Sequence, residues 1–417
     1  MRVYSLLWYL LTPLIILRLG WRGLKTRAYF HYWPQRFGFG YPQNTQPTLW
    51  IHAVSLGETQ AAIPLIQQLQ RLYPHHAILI TNMTPTGAAC ARQLPKVQQC
   101  YLPYDYPFAV QRFLRCVKPV LGILIETELW PNLIEAAAKN ALPLILANAR
   151  LSARSALAYQ RHIPTLIQHS LGLVAHIAVQ TETEAQRFIQ LGANPARITV
   201  TGSIKFDVPV DENLPAKARH TRQTWGENRL VWIAASTHAG EEQPVLHAFS
   251  QIQAQCPDVL LILVPRHPER FNAVAELCRQ SGQAMVRRSQ QAANAQTAVY
   301  LADTMGELPL LYACADVAFV GGSLVPTGGH NVLEAATLGL PVVFGRHMFN
   351  FAHISQQLLA HHAAQQVENQ TQLAQAVLAF LTDAPLRQQT GQRARQFIAQ
   401  NRGALQKTLN IIQGFIQ

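Results

Sequence analysis

Gly321-Gly322-Ser323-Leu324-Val325-Pro326-Thr327-Gly328-Gly329-His330-Asn331-Val332-Leu333-Glu334-Ala335-Ala336-Thr337-Leu338-Gly339-Leu340-Pro341-Val342-Val343-Phe344-Gly345 follows directly on the apolar run Val317 to Val320. It passes through a glycine-rich loop, takes up helical spacing, and is stopped by Gly339 and Pro341 ahead of a second apolar run. That order reads as strand, loop, short helix, strand, the repeating unit of a parallel sheet. Glycine lets a backbone approach a ligand closely, and the N–H groups of a helix start near Asn331 attract an anion such as a phosphate. Glu334, one turn into that helix, is placed to accept hydrogen bonds from a ribose. A tight turn with no ligand is the simpler alternative, and glycine content alone does not separate the two.

Working outward, the C-terminal half repeats the pattern. Leu230 to Ala235 reads as a strand ending in Ser236-Thr237-His238-Ala239-Gly240-Glu241-Glu242, and Val259 to Val264 as one ending in Pro265-Arg266-His267-Pro268-Glu269-Arg270. Arg266, at the mouth of a sheet, offers a planar fork suited to phosphate or carboxylate. Val299 to Leu301 leads into Asp303-Thr304-Met305-Gly306-Glu307-Leu308, where Gly306 lets a base or ribose lie against the backbone. Residues 351–360, 370–381 and 385–412 are predicted helical, the last long enough to return to the first domain. Ahead of this half, residues 208–229 are polar, with Pro209 and Pro215 and no clear apolar period, and are predicted to be a linker.

In the N-terminal half, strand-like runs at Leu49 to Val54, Ala77 to Thr81, Gln98 to Leu102, Leu121 to Ile125, Leu142 to Leu146 and Ile177 to Val179 alternate with helical patterns. Such alternation predicts a parallel sheet covered on both faces, with ligands at the C-terminal ends of the strands. The unusual residues stand at those ends. Ser55-Leu56-Gly57-Glu58 opens a helix with a carboxylate in its first turn, which either complements the helix dipole or serves chemistry. Glu126-Thr127-Glu128-Leu129-Trp130-Pro131 puts two acids at the end of an apolar strand, both on one side if the alternation continues, with Pro131 suited to the first position of a helix. Gly202-Ser203-Ile204-Lys205-Phe206-Asp207 brings a cation to the domain boundary.

Hydrophobic residues make up 49% and charged residues only 13% of the 417, so the chain is globular with two full cores and a membrane contact. The net charge of +12 is uneven: residues 1–208 carry 19 Lys and Arg against 8 Asp and Glu, and residues 209–417 carry 15 against 14. The first half therefore faces something anionic. Without a basic run interleaved with aromatics, nucleic acid is excluded in favour of an anionic lipid surface or a phosphorylated lipid. Val3 to Leu17 is uncharged and reaches about 22 Å as a helix, short of a hydrocarbon core of about 30 Å. With Arg18, Arg22, Lys25 and Arg27 following, residues 1–25 are predicted to be a membrane anchor helix, spanning or lying in the surface, with the rest in the cytoplasm. Arg36 is grouped with the same basic surface. The six cysteines never approach C-x-x-C spacing, and no H-E-x-x-H or D-x-D occurs, so neither a disulfide framework nor a dedicated metal is expected.

The opening stretch, with its fixed order of glycines, His330, Asn331 and Glu334, resembles the nucleotide-sugar site of GT-B glycosyltransferases. Taken with the motifs at 55–58, 126–131, 202–207, 265–270 and 305–308, the chain resembles the 3-deoxy-D-manno-octulosonic acid (Kdo) transferases of lipopolysaccharide biosynthesis. The resemblance implies an α/β GT-B fold: two Rossmann-like domains, at 26–207 for the acceptor and 230–384 for the donor, facing a central cleft, with 385–417 as a helix crossing back. It implies an inverting, metal-independent transfer of Kdo from CMP-Kdo to a phosphorylated lipid A precursor, lipid IVA, at the cytoplasmic face of the inner membrane, with no cofactor. Glu58 would be the general base, with Glu128 and Lys205 stabilising the transition state. Arg266, His267, Met305, Gly306, Glu307, Asn331, Val332, Leu333 and Glu334 would bind CMP. A GT-B enzyme that moves a sugar from a UDP donor to a lipid is the alternative.

Overall fold

The computed structural model describes residues 2–208, 211–226 and 228–416; Pro209, read above as a linker residue, lies outside them. The chain divides into two units, Met1–Asp207 with Arg402–Gln417, and Val208–Asn401. In the first, β1 (Thr48–His52), β2 (Ala77–Asn82), β3 (Val97–Tyr101), β4 (Pro119–Ile125), β5 (Leu144–Ala149), β6 (His176–Val179) and β7 (Ile198–Val200) form one sheet in the order β3-β2-β1-β4-β5-β6-β7. Every pairing is parallel. Successive side chains feed opposite faces: Trp50, Leu79, Leu124 and Leu146 enter one core, and Leu49, Ile51, Ile80, Ile123 and Ile145 the other. This is why the strands read as unbroken apolar runs rather than alternating ones. The strand order reverses direction between β1 and β4, so a crevice opens at their C-terminal ends, where ligands bind in such sheets.

At the N-terminus the expected single anchor helix is a bent pair, α1 (Arg2–Leu10) and α2 (Thr12–Lys25), meeting at 50°. Pro13 accounts for the break, because its ring displaces the carbonyl four residues earlier and it has no N–H to give. No single helix among the described residues is long and apolar enough to cross a membrane, although this pair passes by length and composition together. Arg36 departs from the expected basic surface. It is only 2% exposed, its guanidinium lying 4.2 Å from the Tyr101 ring centre and donating to the Met83 carbonyl.

The second unit has β8 (Val231–Thr237), β9 (Leu260–Pro265), β10 (Met285–Arg287), β11 (Val299–Leu301), β12 (Val317–Val320), β13 (Val342–Gly345) and β14 (Ala364–Val367), in the order β10-β11-β9-β8-β12-β13-β14. Here the reversal falls between β8 and β12, so the glycine-rich loop after β12 lies at a second switch point. The predicted linker contains a helix, Leu214–Trp225, which buries Leu214, Ala218 and Trp225 and stacks Trp225 edge-on to Tyr300. Three apolar residues in twelve were too sparse a stripe to show a period, yet their spacing of four and seven places them on one face.

The helix expected over 385–412 is two, Ala384–Asn401 and Ala404–Gln413. Gly403, with φ 96°, stands between them in a conformation that an L side chain rarely adopts. The earlier helix belongs to the second unit, where a Cβ on Gly391 would collide with the carbonyl of Gly339. The later one belongs to the first unit, where Leu409 and Ile412 join the core containing Ile51 and Ile80. Asp207 fixes this return by accepting from the N–H groups of Gly403 (2.8 Å) and Leu405 (2.7 Å).

Candidate active site

In the first unit the switch point is lined by acids. Ser55 caps the helix Leu56–Leu72, and Glu58 answers it: Oε1 accepts from the Ser55 hydroxyl at 2.7 Å and Oε2 from the Val54 N–H at 2.7 Å. The carboxylate thus stands in the first turn of the helix, where it complements the dipole as the simpler reading has it. Burial nonetheless raises its pKa, opposed by the Ser55 and Val54 hydrogen bonds and reinforced by the charge of Glu126. A carboxylate with raised proton affinity, held by two donors beside a ligand crevice, is suited to accept a proton.

Glu126 and Glu128 reach the same site by a route that simple alternation misses. Glu126, directly after β4, has φ 61°, a left-handed kink that breaks the extended run. Its Oε1 takes a salt bridge from Lys205 Nζ at 2.9 Å, with both side chains about three-quarters buried. Glu128 accepts from the Trp130 indole N–H at 2.6 Å, and burial, followed by the charges of Glu58 and Glu126, pushes its pKa up to about 7. Glu58, Glu128 and Lys205 are thus brought together with Glu126, which was named in the motif but assigned no role. Nothing in the spacing shows that Lys205 closes on Glu126, because 79 residues separate the two.

In the second unit Arg266, His267 and Glu334 lie near one another, but the loop after β12 is arranged differently from expectation. Its amides at Gly322, Ser323 and Leu324 do not await a ligand. They donate to the wholly buried carboxylate of Glu241 at 2.6, 2.9 and 2.8 Å, and the His238 N–H adds a fourth bond at 2.9 Å. An internal anion fills this nest of N–H groups. The turn Ser236 to Glu242 held the signal for it, an acid at the start of a helix beside a glycine loop.

At the other end of the loop, Asn331 stands just ahead of the short helix Leu333–Thr337, its Oδ1 accepting from the Leu333 N–H at 3.0 Å and its Nδ2 donating to Glu334 Oε1 at 3.1 Å. Val332 and Leu333 are fully buried, which departs from their expected place among the CMP-binding residues, and the Leu333 N–H is already taken by Asn331. Burial raises the Glu334 pKa, with Asn331 and Arg266 opposing. Arg266 makes no ion pair with a carboxylate among the described residues. Beside it, His238 and His330 share a hydrogen bond between their Nε2 atoms at 2.7 Å, and the His267 ring stands edge-on to His238. Burial first, then the neighbouring histidines and Arg266, hold His330 down to about 3, so this pair is neutral and one ring donates to the other.

Arg270, paired with the buried Glu242, anchors the Arg266–His267 turn. The Met305–Gly306 turn is fixed by Glu307, which accepts from Arg288 at 2.9 Å and from Thr304, while Met305 is 60% exposed beside it. Glu307 therefore shapes this turn. Gly306 has φ 85° and open space where a side chain would be.

Two doubly wound parallel sheets, each with its polar residues at the strand-order reversal, define the GT-B fold. A glycosyltransferase from Rickettsia africae has the same fold, with a TM-score of 0.53 at 14% identity over 89% of this chain and 99% of that one. Residues 31–208 match the family described as 3-deoxy-D-manno-octulosonic-acid transferase (kdotransferase), and residues 237–397 match glycosyl transferases group 1. The 3-deoxy-D-manno-octulosonic acid transferase of Haemophilus influenzae is 40% identical over 99% of this chain and 98% of its own length. That of Bordetella pertussis is 36% identical over 99% of both. The chain belongs to the 3-deoxy-D-manno-octulosonic acid transferase family and is a glycosyltransferase.

Proposed function

We propose that the enzyme moves Kdo from CMP-Kdo to a phosphorylated lipid A precursor, lipid IVA, with inversion and without a metal, as a step of lipopolysaccharide biosynthesis at the cytoplasmic face of the inner membrane. The observation that carries this reading is the meeting of Glu58, Glu126, Glu128 and Lys205 at one switch point. A hydroxyl of the acceptor sugar attacks the anomeric carbon of Kdo as the bond from that carbon to the CMP oxygen breaks, and the proton passes to Glu58. Glu128 offers negative charge to the cationic sugar of the transition state, and Lys205 balances the charge shed onto the phosphate. Arg266 and the His238–His330 pair suit a single phosphate, Glu334 and Asn331 a ribose, and the open turn at Met305–Gly306 a base. One departing phosphate needs less counter-charge than two, which leaves protein cations sufficient.

The N-terminal pair supports the membrane reading. Leu6, Leu10, Leu14, Leu17 and Leu24 are all exposed on it, and no acid precedes Glu58 in the chain. Exposed leucines flanked by Arg18, Arg22, Lys25 and Arg27 match an anionic leaflet.

Glu58→Ala is expected to abolish transfer, read by mass analysis of lipid IVA incubated with CMP-Kdo, while calorimetry shows CMP affinity within about twofold of the parent. Turnover at the parental rate would remove Glu58 as the base. Transfer from UDP-sugars but not from CMP-Kdo would overturn the donor.

A further inference from the structure

The helix that reads as an anchor also touches Trp130, the residue that bonds Glu128. One stripe of α1 and the start of α2, formed by Tyr4, Ser5, Trp8 and Thr12, faces the first unit, and the opposite side is exposed leucine. Tyr4 donates to Asp105 Oδ2 at 3.0 Å, Ser5 to Asn132 Oδ1 at 2.8 Å, and the Thr12 and Tyr106 hydroxyls are 2.8 Å apart. Asp105 in turn accepts from the N–H groups of Asn132 (2.9 Å) and Leu133 (2.8 Å), at the first turn of the helix Pro131–Lys139. The N-terminal segment is therefore bonded to the helix that begins one residue after Trp130.

Trp8 lies at the centre of this contact. Its ring stacks on Trp130 at 6.2 Å between centroids and 22° between planes, and Tyr104 and Tyr106 pack on it at 6.1 and 5.5 Å. Trp130 presents its indole N–H to Glu128, the only hydrogen bond that its side chain makes among the described residues. An indole free to turn about its side-chain torsions would not keep that N–H aimed at one carboxylate. A second indole stacked against its face removes the freedom, and such pairs contribute beyond the area they bury.

We propose that Trp8 is a positioning residue for the transfer reaction, holding the Trp130 indole in the orientation that places its N–H on Glu128, so that the membrane-facing helix completes the acid cluster. This rests on the proposed role of Glu128. The groups that face Glu128 are Glu58 and Glu126, with Lys205 held on Glu126, and the phenol of Tyr159, whose own proton affinity Glu128 raises. None of the others donates to Glu128, so loss of the indole leaves a buried carboxylate among like charges.

The test uses the full chain in detergent micelles with CMP-Kdo and lipid IVA, following kcat against pH. Trp130→Phe keeps a ring and deletes the donor. Its acid limb is expected to move upward by roughly one pH unit, the size of a lost hydrogen bond to a charged group. Trp8→Ala is expected to move the limb in the same direction, Trp8→Phe to restore most of it, and the double variant Trp8→Ala, Trp130→Phe to match Trp130→Phe alone. CMP affinity and sedimentation with vesicles stay at parental values in all of them. If Trp8→Ala aggregates, Tyr4→Phe with Ser5→Ala loosens α1 without opening a cavity and moves the limb the same way. An unmoved limb in Trp8→Ala, or additive shifts in the double variant, overturns the proposal and leaves the role of Glu128 standing. Full turnover in Glu128→Gln instead removes that role, and this inference with it.

Discussion

Replacing Glu128 with Gln is expected to make the protein more stable at alkaline pH while it loses activity. The folded carboxyl titrates at about 7 against an ordinary 4.5, because burial and two neighbouring carboxylates disfavour its charge. Between those values the folded chain holds a proton that the unfolded chain has released. Stability therefore falls as pH rises through that window, and the full penalty is present above about 7. At about 1.4 kcal/mol for each pH unit the gap sets a ceiling of about 3 kcal/mol. Glu128 is only partly closed to solvent and Gln brings an amide N–H group that needs a partner, so about 2 kcal/mol is the expected net gain. For a unit of this size that corresponds to a rise in melting temperature of about 4 to 8 °C. Differential scanning calorimetry of the full chain in detergent at pH 5 and pH 8.5 reads it directly. The gain belongs at pH 8.5 and is small at pH 5, where the Glu128 carboxyl is mostly protonated when folded. An equal gain at both pH values, or none at either, would refute the electrostatic origin.

Glu241→Gln replaces a carboxylate that accepts four N–H bonds with an amide that has one acceptor atom. It should cost about 3 kcal/mol or more in denaturant unfolding and weaken CMP binding with it, and a fall below about 1 kcal/mol would contradict the internal-anion role. Reversing Arg22, Lys25 and Arg27 to Glu should release the protein from vesicles containing anionic lipid, with the difference shrinking as salt is raised. Unchanged sedimentation at low salt would count against the charged contact. Arg36 is left out of that set because it is buried.

The sheets were legible because their strands are buried on both faces and spell apolar runs, and because each run ends in a turn of polar residues and glycine. Met285–Arg287 and Ala364–Val367 escaped notice as strands of three and four residues with polar members, which edge positions tolerate. Glu58, Glu128 and Lys205 could be named from their place at strand ends. Their linkages could not: the Lys205–Glu126 pair and the stack of Trp8 on Trp130 join residues far apart in the chain, and no local period encodes them. Arg36 was misplaced because a cation can be buried when two tyrosine rings flank it, and composition does not report which tyrosines those are. The Glu241 nest was hidden for a related reason. A glycine-rich loop signals exposed amides without revealing whether the anion that they meet is a guest or a side chain of the protein.

The carboxylate of Asp207 grips the amides of Gly403 and Leu405, so the last residue of the first unit's opening segment and the first turn of its closing helix are stitched together. Val208–Asn401 is therefore a cassette spliced into its host at a single seam. Its two cut points fall within one side chain's reach, and a linker of a few residues from Asp207 to Arg402 would reseal the host without stretching it. The second unit in this sense leaves and re-enters the chain of the first at one place.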